Sequence, residues 1–214
     1  VLQVNVFENG EEKYKINLSE AGRNFTPATR VTALMVDNKD QLWIGLESEG
    51  VLVYDLRTLR KVKEILPDKR PFYSRINAIK QDRTGLIWIL TKAEGLAVYN
   101  PADNSFQYLR QDVFERGSIS GNNCYSILED KTGVLWIGTN GDLNVYNREQ
   151  QKFKHYLNNP ANPNSLSDNM VRSEYQATDG KLWVGTDGGV INLLDLKTER
   201  VERVPVRGSE LPIG

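Results

Sequence analysis

Four tryptophans, Trp43, Trp88, Trp136 and Trp183, stand 45, 48 and 47 residues apart, and each sits in the same local sentence of residues. A repeat of this length is longer than helical-pair periods such as the tetratricopeptide and ankyrin ones, and lies in or just above the range of one four-stranded antiparallel unit. The aligned copies begin at Val31, Ile76, Cys124 and Val171. Each opens with a short apolar strand, which an aspartate six residues before the tryptophan closes in three of them (Asp37, Asp82, Asp130). A turn follows with Gly85, Gly133 or Gly180; the first copy has Asp40 at that position, and the fourth has Ala177 in the aspartate column. Such residues suit positive φ or an Asx turn, so the two strands form a hairpin.

The tryptophan strands, Leu42–Leu46, Ile87–Thr91, Leu135–Thr139 and Leu182–Thr186, are nearly continuous in apolar character. Strands of that kind are buried on both faces. A loop with glycine leads to a third strand ending at Tyr54-Asp55, Tyr99-Asn100, Tyr146-Asn147 or Leu194-Asp195. Fourth strands near Lys61–Ile65, Phe106–Leu109, Phe153–Tyr156 and Val201–Val204 alternate apolar with charged residues, as a half-exposed outer edge does. Small residues, Ala33, Ala78, Ser126 and Ser173, recur in the first strands, where bulk close to a common axis would clash. No 3.6-residue period competes, and helix is expected at most as a turn or two near residues 18–24 or 112–116.

The predicted fold class is therefore all-β: four complete four-stranded β-propeller blades plus the outer hairpin of a fifth, a partial propeller. Residues 1–25 are expected to hold the partial blade and a connector, with Phe7 in the tyrosine column and Asn9-Gly10 as the turn. Residues 26–70, 71–115, 116–160 and 161–214 hold the blades, the last with the start of a further connection. An open arc of blades exposes adhesive terminal faces, so self-association is expected.

Composition narrows the function. Lys plus Arg number 27 against 28 Asp plus Glu and are scattered, which speaks against nucleic acid as a partner. No apolar run approaches the length of a membrane span, so no membrane contact is expected of this region. With one cysteine, Cys124, and one histidine, His155, neither an intrachain disulfide, a metal site nor any cofactor is expected. Cys124 shares its column with Val31, Ile76 and Val171 and reads as a buried apolar position; His155 reads as solvated on an outer strand.

The motif Asp-x-x-Gly-x-Leu-Trp-Ile-Gly-Thr at Asp130–Thr139, with Asn-Pro-Asn-Ser-Leu-Ser-x-Asn at Asn162–Asn169, resembles the two-component regulator propeller repeat. The resemblance covers about residues 26–205, departing at Leu90, which replaces a glycine, and in a third copy one residue short between Trp136 and Tyr146. It implies a periplasmic sensor region of an inner-membrane hybrid two-component histidine kinase that detects oligosaccharides and regulates genes for polysaccharide use. The implied partners are an oligosaccharide and the remaining blades and domains of the parent sensor, and this region is expected to be no enzyme itself.

The loops before each first strand and after each second strand share the recognition face of a blade. They supply Arg70, Phe72, Tyr73, Arg75 and Asn77 before the second blade, Arg116, Asn122, Asn123 and Tyr125 before the third, and Asn169 and Arg172 before the fourth. Glu47, Lys92, Asn140 and Asp187 come from the other loops. Ten of these form the expected ligand-binding set: Arg70, Phe72, Tyr73, Arg75, Asn77, Asn123, Tyr125, Asn140, Arg172 and Asp187. Aromatic faces beside Arg and Asn donors suit a sugar. Two alternatives compete: a protein-interaction scaffold, and a propeller glycoside hydrolase or lyase. The latter would need a carboxylate pair or histidines, whereas Glu47, Glu94 and Asp187 are spread over different blades.

Overall fold

The structure, a computed structural model, describes residues 3–8, 11–18, 29–65, 74–148 and 152–204. Eighteen strands in these segments form one hairpin and four antiparallel four-stranded sheets. The chain divides into two compact units, residues 1–79 and 80–214, with the division inside β7.

The first unit opens with β1 (Gln3–Glu8) and β2 (Glu11–Asn17), paired in antiparallel register with a bulge at Val6/Phe7. Its sheet consists of β3 (Val31–Val36), β4 (Gln41–Leu46), β5 (Val51–Asp55) and β6 (Arg60–Ile65). Val4, Ile16 and Leu18 pack on Leu42, Ile44, Leu46, Leu52 and Tyr54, so the hairpin covers one face of this sheet. Leu34 and Val36 on its inner strand remain 52% and 53% exposed. Phe7, expected to match the buried Tyr54, is 60% exposed.

The second sheet holds β7 (Ile76–Gln81), β8 (Ile87–Thr91), β9 (Leu96–Asn100) and β10 (Ser105–Leu109). The third holds β11 (Cys124–Glu129), β12 (Leu135–Thr139), β13 (Leu143–Asn147) and β14 (Lys152–Tyr156). The fourth holds β15 (Val171–Gln176), β16 (Leu182–Thr186), β17 (Ile191–Leu194) and β18 (Val201–Val204). Residues 112–116 form hydrogen-bonded turns rather than helix, and the segment proposed at 18–24 lies outside the described residues beyond Leu18.

The aspartate column has a structural cause that the sequence only hinted at. In the first three sheets one carboxylate oxygen takes the indole N–H of the tryptophan six residues on, at 2.8–2.9 Å for Trp43 and Trp88 and 3.0 Å for Trp136. The other oxygen accepts backbone N–H groups of the turn, such as Lys39 and Gln41 at Asp37. One buried residue thus closes the hairpin and satisfies a buried indole. The turns use positive φ at Asp40, Gly85, Gly133 and Gly180, as expected.

The small-residue column is paired with glycines on the tryptophan strands. Ala33, Ser126 and Ser173 lie opposite Gly45, Gly138 and Gly185, and Gly45 and Gly138 face the sheet that follows. A Cβ on Gly138 would stand 2.5 Å from the Glu174 carboxylate and 2.8 Å from Val171. One on Gly45 would meet Ile76 at 2.7 Å. Close approach of neighbouring sheets excludes side-chain bulk at Gly45 and Gly138.

Candidate functional site

The connectors that enter the third and fourth sheets are held from below by buried asparagines. Asn144, fully buried on β13, accepts the Ser120 N–H at 2.9 Å and donates to the Ser120 hydroxyl at 2.9 Å and to the Ile137 and Asp142 carbonyls. Asn192 on β17 repeats the arrangement with Ser167 (2.9 and 3.0 Å) and the Val184 carbonyl. Thr139 and Thr186 complete each cluster through 2.9 Å contacts with the same serine hydroxyls. A buried, fully bonded amide fixes a loop that would otherwise be free to move. The corresponding residues of the first two sheets are Leu52 and Ala97.

On this support five of the ten expected residues come together in a continuous line. The Asn140 N–H donates to the Asn123 carbonyl at 3.0 Å, and the Asn123 amide donates to the Tyr125 hydroxyl at 2.8 Å. The Arg172 guanidinium lies 4.2 Å from the Tyr125 ring centroid, and its Nε donates to Asp187 at 2.9 Å. Arg172, Asp187 and Asn140 are exposed, while Asn123 and Tyr125 are half-buried. The Asp187 hydrogen bond raises the Arg172 pKa further above its ordinary value, so the cation is permanent. The result is an exposed surface with a flat aromatic and guanidinium stack, one carboxylate and amide groups of both polarities.

The other expected residues do not join it. Arg75 faces Glu47 at 4.0 Å in the first unit, and Asn77 lies on β7. Arg70, Phe72 and Tyr73 lie outside the described residues.

His155 is a correction. It is half-buried rather than solvated: Nε2–H donates to the Ser118 carbonyl at 2.8 Å, and Nδ1 stands 3.7 Å from the buried Asp142. Burial pushes the Asp142 carboxyl up to about 6, with His155 opposing that rise. Cys124 is buried as expected. Trp183 departs from the column rule, being half-buried where Trp43, Trp88 and Trp136 are buried.

Sequence reasoning missed two groups. The asparagine pair was signalled by an amide in an otherwise apolar third-strand column. Glu174 occupies the column of Leu34, Ile79 and Ile127, and its carboxyl accepts the Ser126 hydroxyl at 2.8 Å between the third and fourth sheets.

The two-component regulator propeller family matches residues 118–141 and 165–188, the two segments that run from a stapled connector through the tryptophan strand. No curated protein matches the chain. Among solved structures the chain is similar to the extracellular domain assigned to a hybrid two-component system of B. thetaiotaomicron, at 24% identity and TM-score 0.69, over 82% of this chain and 24% of that one. It is similar to PorZ, a bacterial surface component of the type-IX secretion system of Porphyromonas gingivalis, at 17% identity and TM-score 0.74, over 95% of this chain and 31% of that one. It is also similar to virginiamycin B lyase from Staphylococcus aureus, at 12% identity and TM-score 0.64, over 83% of this chain and 56% of that one. In each case the chain spans well under two thirds of the neighbour, and the likeness is one of fold. Residues 118–141 and 165–188 match the two-component regulator propeller family, and the chain shares the β-propeller fold of these neighbours.

Proposed function

We propose that the chain is a ligand-sensing, periplasmic region of a hybrid two-component sensor histidine kinase, and that the Tyr125–Arg172 surface takes an oligosaccharide. The observation that carries this reading is the Arg172 guanidinium stacked 4.2 Å over Tyr125 and held there by Asp187 at 2.9 Å. A pyranose can lay its CH groups on such a stack while its hydroxyls pair with Asp187, Asn123 and Asn140. The family match at the same segments supports the sensor class, and the extracellular neighbour supports the compartment. Because the aromatic and its cation come from different sheets, β11 and β15, an occupant of this surface bridges two blades and favours one relation between them, which is how binding becomes a signal.

The test is a titration of the chain with neutral and uronic-acid oligosaccharides, read by amide chemical shifts. At least one saccharide should move Asn123, Tyr125, Arg172 and Asp187 together, and Arg172→Ala should weaken it by about tenfold, roughly 1.4 kcal/mol. If no member of the panel perturbs these four residues, the reading fails.

A further inference from the structure

Two segments bring the third sheet's half of the candidate surface together. One is the connector into β11, which ends at Asn123, and the other is the loop from β12 to β13, which starts at Asn140. A single side chain of the outer strand touches both. His155 on β14 donates its Nε2–H to the Ser118 carbonyl of the connector at 2.8 Å, and its Nδ1 stands at an ion-pair distance of 3.7 Å from the Asp142 carboxylate at the end of the loop. From these contacts to the surface the segments are bonded together. Ser120 is held by Asn144 and Thr139, and the Asn140 N–H donates to the Asn123 carbonyl.

The fourth sheet shows what this position requires for folding alone. Arg203 lies opposite Asn192 as His155 lies opposite Asn144, and it donates to the Ser165 and Leu166 carbonyls of its own connector at 3.4 and 3.2 Å. Val190, whose carbonyl takes the Thr186 hydroxyl as that of Asp142 takes Thr139, stands in the acid's place. An arginine beside a valine therefore straps a connector to its outer strand. A histidine backed by a buried acid supplies something more, which is a proton that can leave.

We infer that His155 is a proton-dependent positioning residue for the Tyr125–Arg172 surface: the protonated Asp142–His155 pair holds the Asn123 connector and the Asn140 loop in register, and loss of the proton loosens them. Neutral imidazole has one N–H, and the Ser118 carbonyl takes it. A further proton shared by Nδ1 and the Asp142 carboxylate holds the loop as well, wherever in the pair it resides. Once it leaves, a ring lone pair faces a buried, ionised carboxylate, and either that contact or the Ser118 bond is given up. The other charges around the ring are committed elsewhere: Glu115 to Lys152, Lys154 to Glu199, Glu94 to Arg110, and Asp112 to the Phe114 N–H. The inference rests on the proposed binding surface, but its test needs no ligand.

The chain has one histidine, so the imidazole signals of the 214-residue protein report its titration directly by NMR. Glu174, bonded to Ser126 next to Tyr125, also loses a proton in this range, so the measurement is made in Glu174→Gln. Between about pH 5 and 9 the amide shifts of Ser118, Asn123 and Asn140 should move with the His155 midpoint. Hydrogen exchange at the Asn140 amide, corrected for its intrinsic pH dependence, should rise about tenfold above that midpoint. His155→Arg, which copies the fourth sheet, should remove the transition and keep exchange slow at every pH. Asp142→Val should leave His155 titrating with the Asn140 exchange unmoved by it. Asn123 and Asn140 amides that stay fixed while His155 titrates overturn the inference, and so does a transition that survives His155→Arg. A saccharide panel without a binder strikes the proposed function and not this coupling.

Discussion

The Ser126 hydroxyl donates to the Glu174 carboxyl over 2.8 Å, across the joint between the third and fourth sheets. Burial pushes that carboxyl up to about 8 from an ordinary 4.5, with the Ser126 bond opposing the rise. The folded chain therefore holds a proton that the unfolded chain releases above about 4.5. Stability due to this group is full below that pH, falls as pH rises toward 8, and is flat beyond. Asp142 adds a smaller fall of the same sign that ends near 6. Urea denaturation across pH 4.5–9 should show this decline, and Glu174→Gln, which still accepts from Ser126, should abolish most of it and be the more stable protein at pH 8.

Gly138 is committed to the same joint. Gly138→Ala sets a methyl 2.5 Å from the Glu174 carboxylate and 2.8 Å from Val171, so it should cost about 1–3 kcal/mol in thermal denaturation. Gly180→Ala is a useful contrast, since its φ of +91° makes the backbone rather than a neighbour responsible for any loss.

Asp130 accepts from the Trp136 indole, the Thr132 hydroxyl and two turn N–H groups. Burial alone would raise its carboxyl, but those bonds hold it below the ordinary carboxylate range. Asp130→Ala strands a buried indole N–H and should cost about 2–4 kcal/mol. Conversely, Ala177→Asp supplies the missing clamp in the fourth sheet, where the Ala177 N–H already donates to the Lys181 carbonyl as Asp37 does to Gln41. It should stabilise the chain by about 1 kcal/mol, read from the urea midpoint.

Asn144→Ala removes the partner of both Ser120 and the Ile137 carbonyl from a fully buried site. It should cost about 2–3 kcal/mol and raise hydrogen exchange at Ser120. Because the connector carrying Asn123 loses its support, saccharide binding should weaken without any change to a contacting side chain.

Burial pushes the Cys124 thiol far above its ordinary pKa. It should resist iodoacetamide at pH 8 in the native chain and react readily in urea.

The sequence by itself determined the repeat. Strand identity, register and turn residues depend on neighbours within one hairpin, and period-two and turn chemistry is local, so the four tryptophan columns could be read directly. Five of the ten expected site residues fall on one surface, because loop order in a repeated unit assigns Asn123, Tyr125, Asn140, Arg172 and Asp187 to one end of the sheets. What only the tertiary structure decided was everything between sheets. Ser126 and Glu174 are 48 residues apart, and no local pattern foretells that one bonds the other. The same holds for Arg172 finding Tyr125. Repetition fixes each sheet from nearby residues, but desolvation and pairing across a joint depend on side chains a full repeat apart.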